Sequence, residues 1–159
     1  MPTLPRPLIA LALLSTLPLA ACSKTYVAFG VDGVRLDEGQ GRPGEERGDW
    51  IYRFFDGSLR ARGSYDSEGH RTGIWETFFR NGQPAAKGQR TWVPEASGSL
   101  RTGPWTFWHE NGFRRSKGIY KLGLREGPWE FWKSDGQPDP GLSGTYRAGE
   151  RVSPTGPND

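Results

Sequence analysis

Cysteine is almost missing from this chain: Cys22 is the only one in 159 residues. A single thiol excludes an internal disulfide and a cysteine-built metal site. Histidine is nearly as scarce. His70 and His109 are the only two, and neither has the i, i+4 partner or carboxylate context of a metal site. Ser58, Ser64 and Ser67 have no matching His/Asp set. No segment reads clearly as helix, so no glycine-rich loop leads into one. Neither an enzyme nor a cofactor is therefore expected. An excess of one charge is lacking too. There are 21 basic and 18 acidic side chains, a formal net charge of +3. Arg6 is the only charge in residues 1–21, so removing it leaves 20 against 18, or +2. That balance argues against a nucleic-acid partner. Finally, no apolar run is long enough to span a bilayer as a helix. The longest, Leu8 to Leu17, is too short, and mean hydropathy is −0.70.

What the chain has in quantity is glycine, with 23 residues, and aromatic side chains, at 13%. They are not scattered. A ten-residue phrase runs from Gly48 to Gly57, Gly73 to Gly82, Gly103 to Gly112 and Gly127 to Gly136. Each copy opens with Gly and has Trp two positions on (Trp50, Trp75, Trp105, Trp129). Each ends in Asp-Gly or Asn-Gly: Asp56-Gly57, Asn81-Gly82, Asn111-Gly112 and Asp135-Gly136. The copies begin 25, 30 and 24 residues apart (73−48, 103−73 and 127−103), a period that signals a repeat architecture. The closing dipeptides predict two-residue type I′ hairpin turns, in which both central residues take positive φ.

A two-residue turn fixes the register. Counting the opening Gly as zero, position 2 pairs with 15, 4 with 13 and 6 with 11. Trp50 then faces Gly63, Trp75 faces Gly88 and Trp105 faces Gly118. Tyr52 faces Ala61, Thr77 faces Ala86 and Phe107 faces Ser116. An indole can lie flat over a glycine, so this face, with Tyr65, Tyr120 and Tyr146, is the expected core. The opposite face is expected to carry Phe55, Phe78, Trp108, Phe113 and Trp132. Arg53, Arg60, Arg62, Lys87, Arg115 and Lys117 stand among them. Glu76 would face Lys87, and Trp108 would face Arg115 in a cation–π pair. Repeat two departs from the pattern, with Arg90 where Tyr is expected and an insertion around Val93 to Ser99.

At the N-terminus, one Arg, a short apolar run and the small residues Ala20 and Ala21 have the layout of a secretory signal peptide. Leu19-Ala20-Ala21-Cys22 resembles a bacterial lipobox. The resemblance implies cleavage before Cys22, which then carries lipid and anchors the chain to a membrane. Ser23, in place of Asp, implies the outer membrane, facing the periplasm, in a Gram-negative host. The expected organisation is a signal peptide at 1–21, a lipidated N-terminus and linker at 22–47, four repeats at 48–149 and a disordered tail at 150–159. Within the linker, Tyr26 to Phe29 and Val31 to Val34 suit a leading hairpin. Asp37 to Arg47 reads as a tether.

The pattern Gly-x-Trp-x-x-(Phe/Trp)-x-x-(Asn/Asp)-Gly, then Gly and Tyr on the return strand, resembles the MORN-repeat superfamily. Its bacterial YwqK-type antitoxin-like repeat is the nearest form, and the resemblance covers Gly48 to Gly149. It implies an all-β protein: one elongated sheet of consecutive antiparallel hairpins. It also implies a non-catalytic role in protein binding, scaffolding or membrane association. The candidate binding residues are Trp108, Arg115, Lys117, Arg53 and Arg60, because interfaces favour Trp and Arg and the fold demands these five least. The expected function is a lipid-anchored scaffold at the cell envelope with a protein partner. Alternatives are an antitoxin or immunity role, which follows from the resemblance alone, and binding of lipid or cell-wall glycan.

Overall fold

Alternating residues, short strands and a glycine at every bend leave this chain one way to satisfy its backbone, which is hairpin upon hairpin. The computed structural model describes residues 25–29, 33 and 35–154. Its strands are β1 (Thr25–Phe29), β2 (Arg35–Gln40), β3 (Arg47–Arg53), β4 (Leu59–Tyr65), β5 (Arg71–Phe78) and β6 (Pro84–Val93). They continue as β7 (Gly98–Trp108), β8 (Arg114–Lys121), β9 (Leu124–Phe131), β10 (Gly144–Arg147) and β11 (Glu150–Pro154). All eleven form one antiparallel sheet in chain order. The protein is all-β, as the repeats imply. A single 3-10 turn, Pro94–Ala96, breaks the strand pattern among the described residues, at the insertion between β6 and β7.

The four phrases give the hairpins β3–β4, β5–β6, β7–β8 and β9–β10. Three further strands flank them. The segment expected as a tether supplies Asp37–Gln40 to β2 and Arg47 to β3. A leading hairpin exists, with β1 paired to β2; of the stretch Val31 to Val34 expected in it, residues 31, 32 and 34 lie outside the described residues. The tail is strand as far as Pro154, because β11 pairs with β10. The proposed signal peptide, Cys22 and Ser23 lie outside the described residues, as do residues 155–159.

The mid-strand register is the expected one. Trp50 pairs with Gly63, Trp75 with Gly88 and Trp105 with Gly118. Tyr52 pairs with Ala61, Thr77 with Ala86 and Phe107 with Ser116. Near the tips the expectation fails. Arg53 pairs with Leu59, Phe78 with Pro84 and Trp108 with Arg114, so position 6 does not meet position 11. One residue of each return strand, such as Arg60 or Arg115, is an extra, bulged one.

The turn chemistry explains this slip. In the first hairpin the Phe54 amide donates to the Ser58 carbonyl (2.8 Å) and the Gly57 amide donates to Phe54 (2.9 Å). Only Gly57 takes positive φ, +82°. This is a tight turn followed by a left-handed glycine, not a type I′ turn. Asp56 serves through its side chain instead: Oδ1 accepts the Ser58 amide at 2.9 Å. Asn81, Asn111 and Asp135 do the same for Gln83, Phe113 and Gln137. The two-residue geometry occurs between repeats, at Leu122-Gly123 (φ +48°, +85°) and Ala148-Gly149 (φ +49°, +91°).

Candidate functional site

Each Trp of the phrase joins two hairpins rather than the two strands of one. The indole of Trp75 covers Gly63 on the preceding return strand, and a Cβ there would collide with the ring. Trp50 covers Gly39, Trp105 covers Gly88 and Trp129 covers Gly118 in the same way. Trp50 was expected over Gly63. It pairs with Gly63 in register but leans the other way. The reason is the bulge that follows each covered glycine. It leaves a carbonyl one residue on, and the indole N–H takes it: Trp50 to Gln40 (2.9 Å), Trp105 to Gln89 (3.0 Å) and Trp129 to Ile119 (3.0 Å). Trp75 divides its N–H between Ser64 (3.2 Å) and Thr72 (3.1 Å).

These rings form a stacked row along the sheet. Tyr26, Trp50, Tyr52 and Trp75 follow one another at 5.9, 5.7 and 6.3 Å between centroids. Trp105, Phe107, Trp129 and Phe131 follow at 5.6, 6.4 and 5.8 Å. Tyr65 and Tyr120 stand edge-on to Trp75 and Trp129 at 5.3 and 4.9 Å. Burial, then a hydrogen bond with Tyr65 (2.7 Å), pushes the Tyr52 hydroxyl above the ordinary tyrosine range.

No second layer among the described residues covers the row, and arginines do so instead. Arg71 lies over Trp75 at 4.7 Å, Arg101 over Trp105 at 5.1 Å and Arg125 over Trp129 at 5.2 Å. A guanidinium is weakly hydrated and stacks on an aromatic face. Sequence reasoning overlooked these three. The signal was there: each stands two residues before a repeat's opening glycine, as Arg-x-Gly-x-Trp.

The row has one vacancy. Tyr52 stands between Trp50 and Trp75, and Phe107 between Trp105 and Trp129. The same place in repeat two, between Trp75 and Trp105, holds Thr77. Arg90 replaces the edge-on tyrosine. A cavity of about 460 Å³ opens there, floored by Ala61, Thr77 and Ala86 and walled by Trp75 and Trp105. Arg71, Arg90 and Arg101 converge on it. Burial, then the positive charges of Arg71 and Arg101, lowers the Arg90 pKa from the ordinary arginine value. Arg90 donates to the Ser99 carbonyl at 2.8 Å. Arg101 Nε is buried without an acceptor.

The five candidate binding residues are split between two faces. Phe107 and Ser116 are buried on the aromatic face, so strand alternation puts Trp108 and Lys117 on the other. Arg53 is on that face as well, paired with Glu38 at 3.1 Å. Arg60 and Arg115, expected beside them, reach the aromatic face. Arg60 lies over Tyr52 (5.5 Å) and Arg115 over Phe107 (5.5 Å). The extra residue at the bulge re-aims the side chain. The expected Trp108–Arg115 pair is therefore replaced by Arg114 over Trp132, at 5.0 Å. Glu76 meets Lys87 at 2.8 Å, as the register requires, and also binds Arg62. Its carboxyl is lowered from the ordinary glutamate value by the hydrogen bonds from Lys87 and Arg62. His70 stacks on Trp92 at 3.7 Å, beside Asp66. No group of three His, Cys, Asp or Glu could hold a metal ion among the described residues.

Residues 71–90 match the MORN repeat variant. That stretch is β5, its turn and the part of β6 that pairs with β5, so the match falls on the repeat with the vacancy. It supports the resemblance to the MORN-repeat superfamily. MORN repeats are generally non-catalytic and are often protein- or membrane-binding modules. No curated protein matches the chain.

Proposed function

We propose that the chain is a non-catalytic scaffold lipoprotein, held at the cell envelope through Cys22, whose sheet binds a protein partner. In a Gram-negative host it faces the periplasm from the outer membrane. The observation that carries the reading is the second face of a one-layer sheet, which no other element among the described residues covers. Ile74 and Ile119 on that face are 54% and 48% exposed, and Trp108, Trp132, Arg53 and Lys117 stand among the strands around them. A face that mixes large apolar side chains with arginine suits a protein interface. The antitoxin reading has no structural feature that favours it over this one.

The test is crosslinking of the native lipoprotein in its membrane, followed by identification of what it captures. The variant Arg53→Ala, Trp108→Ala, Lys117→Ala, with the sheet's circular dichroism retained, is expected to lose its main crosslinked product. An unchanged set of products from that variant would sink the protein-binding reading. A Cys22→Ser variant released to the soluble fraction supports the anchor. The same variant remaining in the membrane argues against it.

A further inference from the structure

We propose that the vacancy in repeat two is a small-ligand site for a planar ring that carries a carboxylate. The site stands apart from the scaffold reading, since it lies on the aromatic face and needs no protein partner.

Two independent features set the ligand's chemistry. The first is shape. In repeats one and three the corresponding place is filled by Tyr52 and by Phe107, each stacked on an indole at either side. Thr77 sits in the same register, opposite Ala86 as Tyr52 sits opposite Ala61. Repeat two thus keeps its own indole, the indole of repeat three and the small residue beneath, and leaves out the ring. A flat guest entering there meets an aromatic wall on each side, where it gains both apolar burial and ring contact. The volume of about 460 Å³ falls in the range of small-molecule sites.

The second feature is charge. Four arginines line the same cavity: Arg60, which also reaches Asp37 at 3.8 Å, and the three that converge on the slot, Arg71, Arg90 and Arg101. Among the described residues no carboxylate lines it. Among the described residues, none of the three forms an ion pair. Arg101 Nε is a buried donor without an acceptor. Leaving such a donor unmet is costly. An oxyanion at the edge of the guest's ring would meet it and also offset the mutual repulsion of the three cations. A guanidinium fork suits a carboxylate in particular, because it can donate two parallel N–H bonds. An uncharged ring satisfies the first feature only. A small inorganic anion satisfies the second only.

Calorimetric titration of the full chain with indole-3-acetate, indole-3-acetamide and cyclohexylacetate separates these terms. The aromatic acid is expected to bind about ten- to a hundredfold more tightly than the amide, the range of a charge-assisted hydrogen bond. It should also bind more tightly than the saturated acid. Thr77→Phe supplies the missing ring and is expected to abolish binding while the sheet's circular dichroism persists. Arg101→Gln keeps the slot, and is expected to bring the acid down to the affinity of the amide. A tripeptide Ala-Ala-Trp, with free and with amidated C-terminus, distinguishes the sources. Binding of the free peptide points to a chain terminus, and its failure beside a binding free acid points to a small molecule. Equal affinities for acid and amide overturn the proposal. So does undiminished binding by Thr77→Phe, or the absence of any binding of the aromatic acid at millimolar concentration.

Discussion

The same phrase builds both halves of the aromatic face, yet the halves are held differently. From β7 onward, Trp105, Phe107, Tyr120, Trp129, Phe131 and Tyr146 form one continuous buried cluster. Before β7 the buried cluster is only Trp50, Tyr65 and Trp75. The break falls at Thr77 and Arg90, where repeat two lacks a ring on each strand. The opposite face shows the reverse. In the N-terminal half, Glu76 lies between Arg62 and Lys87, and Arg53 pairs with Glu38. In the C-terminal half, Lys117 and Glu130 are register partners without closing to an ion pair. Neighbouring hairpins can thus be joined by stacked rings on one face or by cross-strand charges on the other. The second means is much the weaker, because exposed ion pairs add little.

The largest test of this contrast is removal of an indole from each half. Trp129 is fully buried and touches Phe107, Tyr120, Phe131 and Tyr146. Trp129→Ala is expected to cost about 3–5 kcal/mol in urea unfolding, the range for buried aromatic truncation. Trp50 is as well buried but touches Tyr26, Tyr52 and Tyr65 alone among the rings. Trp50→Ala should therefore cost less. Equal costs would mean that cluster size does not set the strength of the joint. A smaller effect comes from the glycine beneath the ring. Gly118→Ala drives a Cβ into the Trp129 indole and is expected to cost about 1–3 kcal/mol. In a Trp129→Ala background most of that cost should vanish, because the obstruction is gone. A cost that persists would put the demand for glycine in the backbone.

Much of this architecture could be read from the residues, and the failures have a common origin. A period of two identifies which face a side chain takes, so Trp50, Tyr52 and Phe107 were placed correctly and so were their register partners. Alternation does not say which way a ring leans. The lean toward the preceding hairpin was marked by Gly39, a glycine ahead of the first phrase whose place in the pattern only the fold reveals. Asp-Gly and Asn-Gly suit two kinds of tight turn. The choice rests on whether the Asx side chain accepts the amide two residues on, as Asp56 does, or the Asx backbone turns left-handed. The extra residue that follows turns Arg60 and Arg115, two of the five candidate binding residues, to the other face. Thr77 and Arg90 were visible as small and charged residues in places meant for rings. Their consequence, a slot beside a cluster of arginines, needed the stacked row to give it walls.

Acid titration gives the finest distinction between the halves. The Glu76 carboxyl is lowered from its ordinary value of 4.5, with the hydrogen bond from Lys87 the main cause and that from Arg62 next. A depressed folded-state pKa contributes stability that is fully present above the ordinary value and is lost as pH falls through the depressed one. Unfolding measured between neutral pH and about pH 3 should therefore show Glu76→Gln less stable than the parent by less than about 1 kcal/mol at the neutral end. The difference should close toward the acid end, where the parent's own carboxyl is protonated. Glu130→Gln, in the half held by rings, removes a carboxylate that forms no ion pair among the described residues, and should cost less at neutral pH than Glu76→Gln. An equal response from the two variants would show that the charges on the uncovered face do not distinguish the halves, and that the rings alone do.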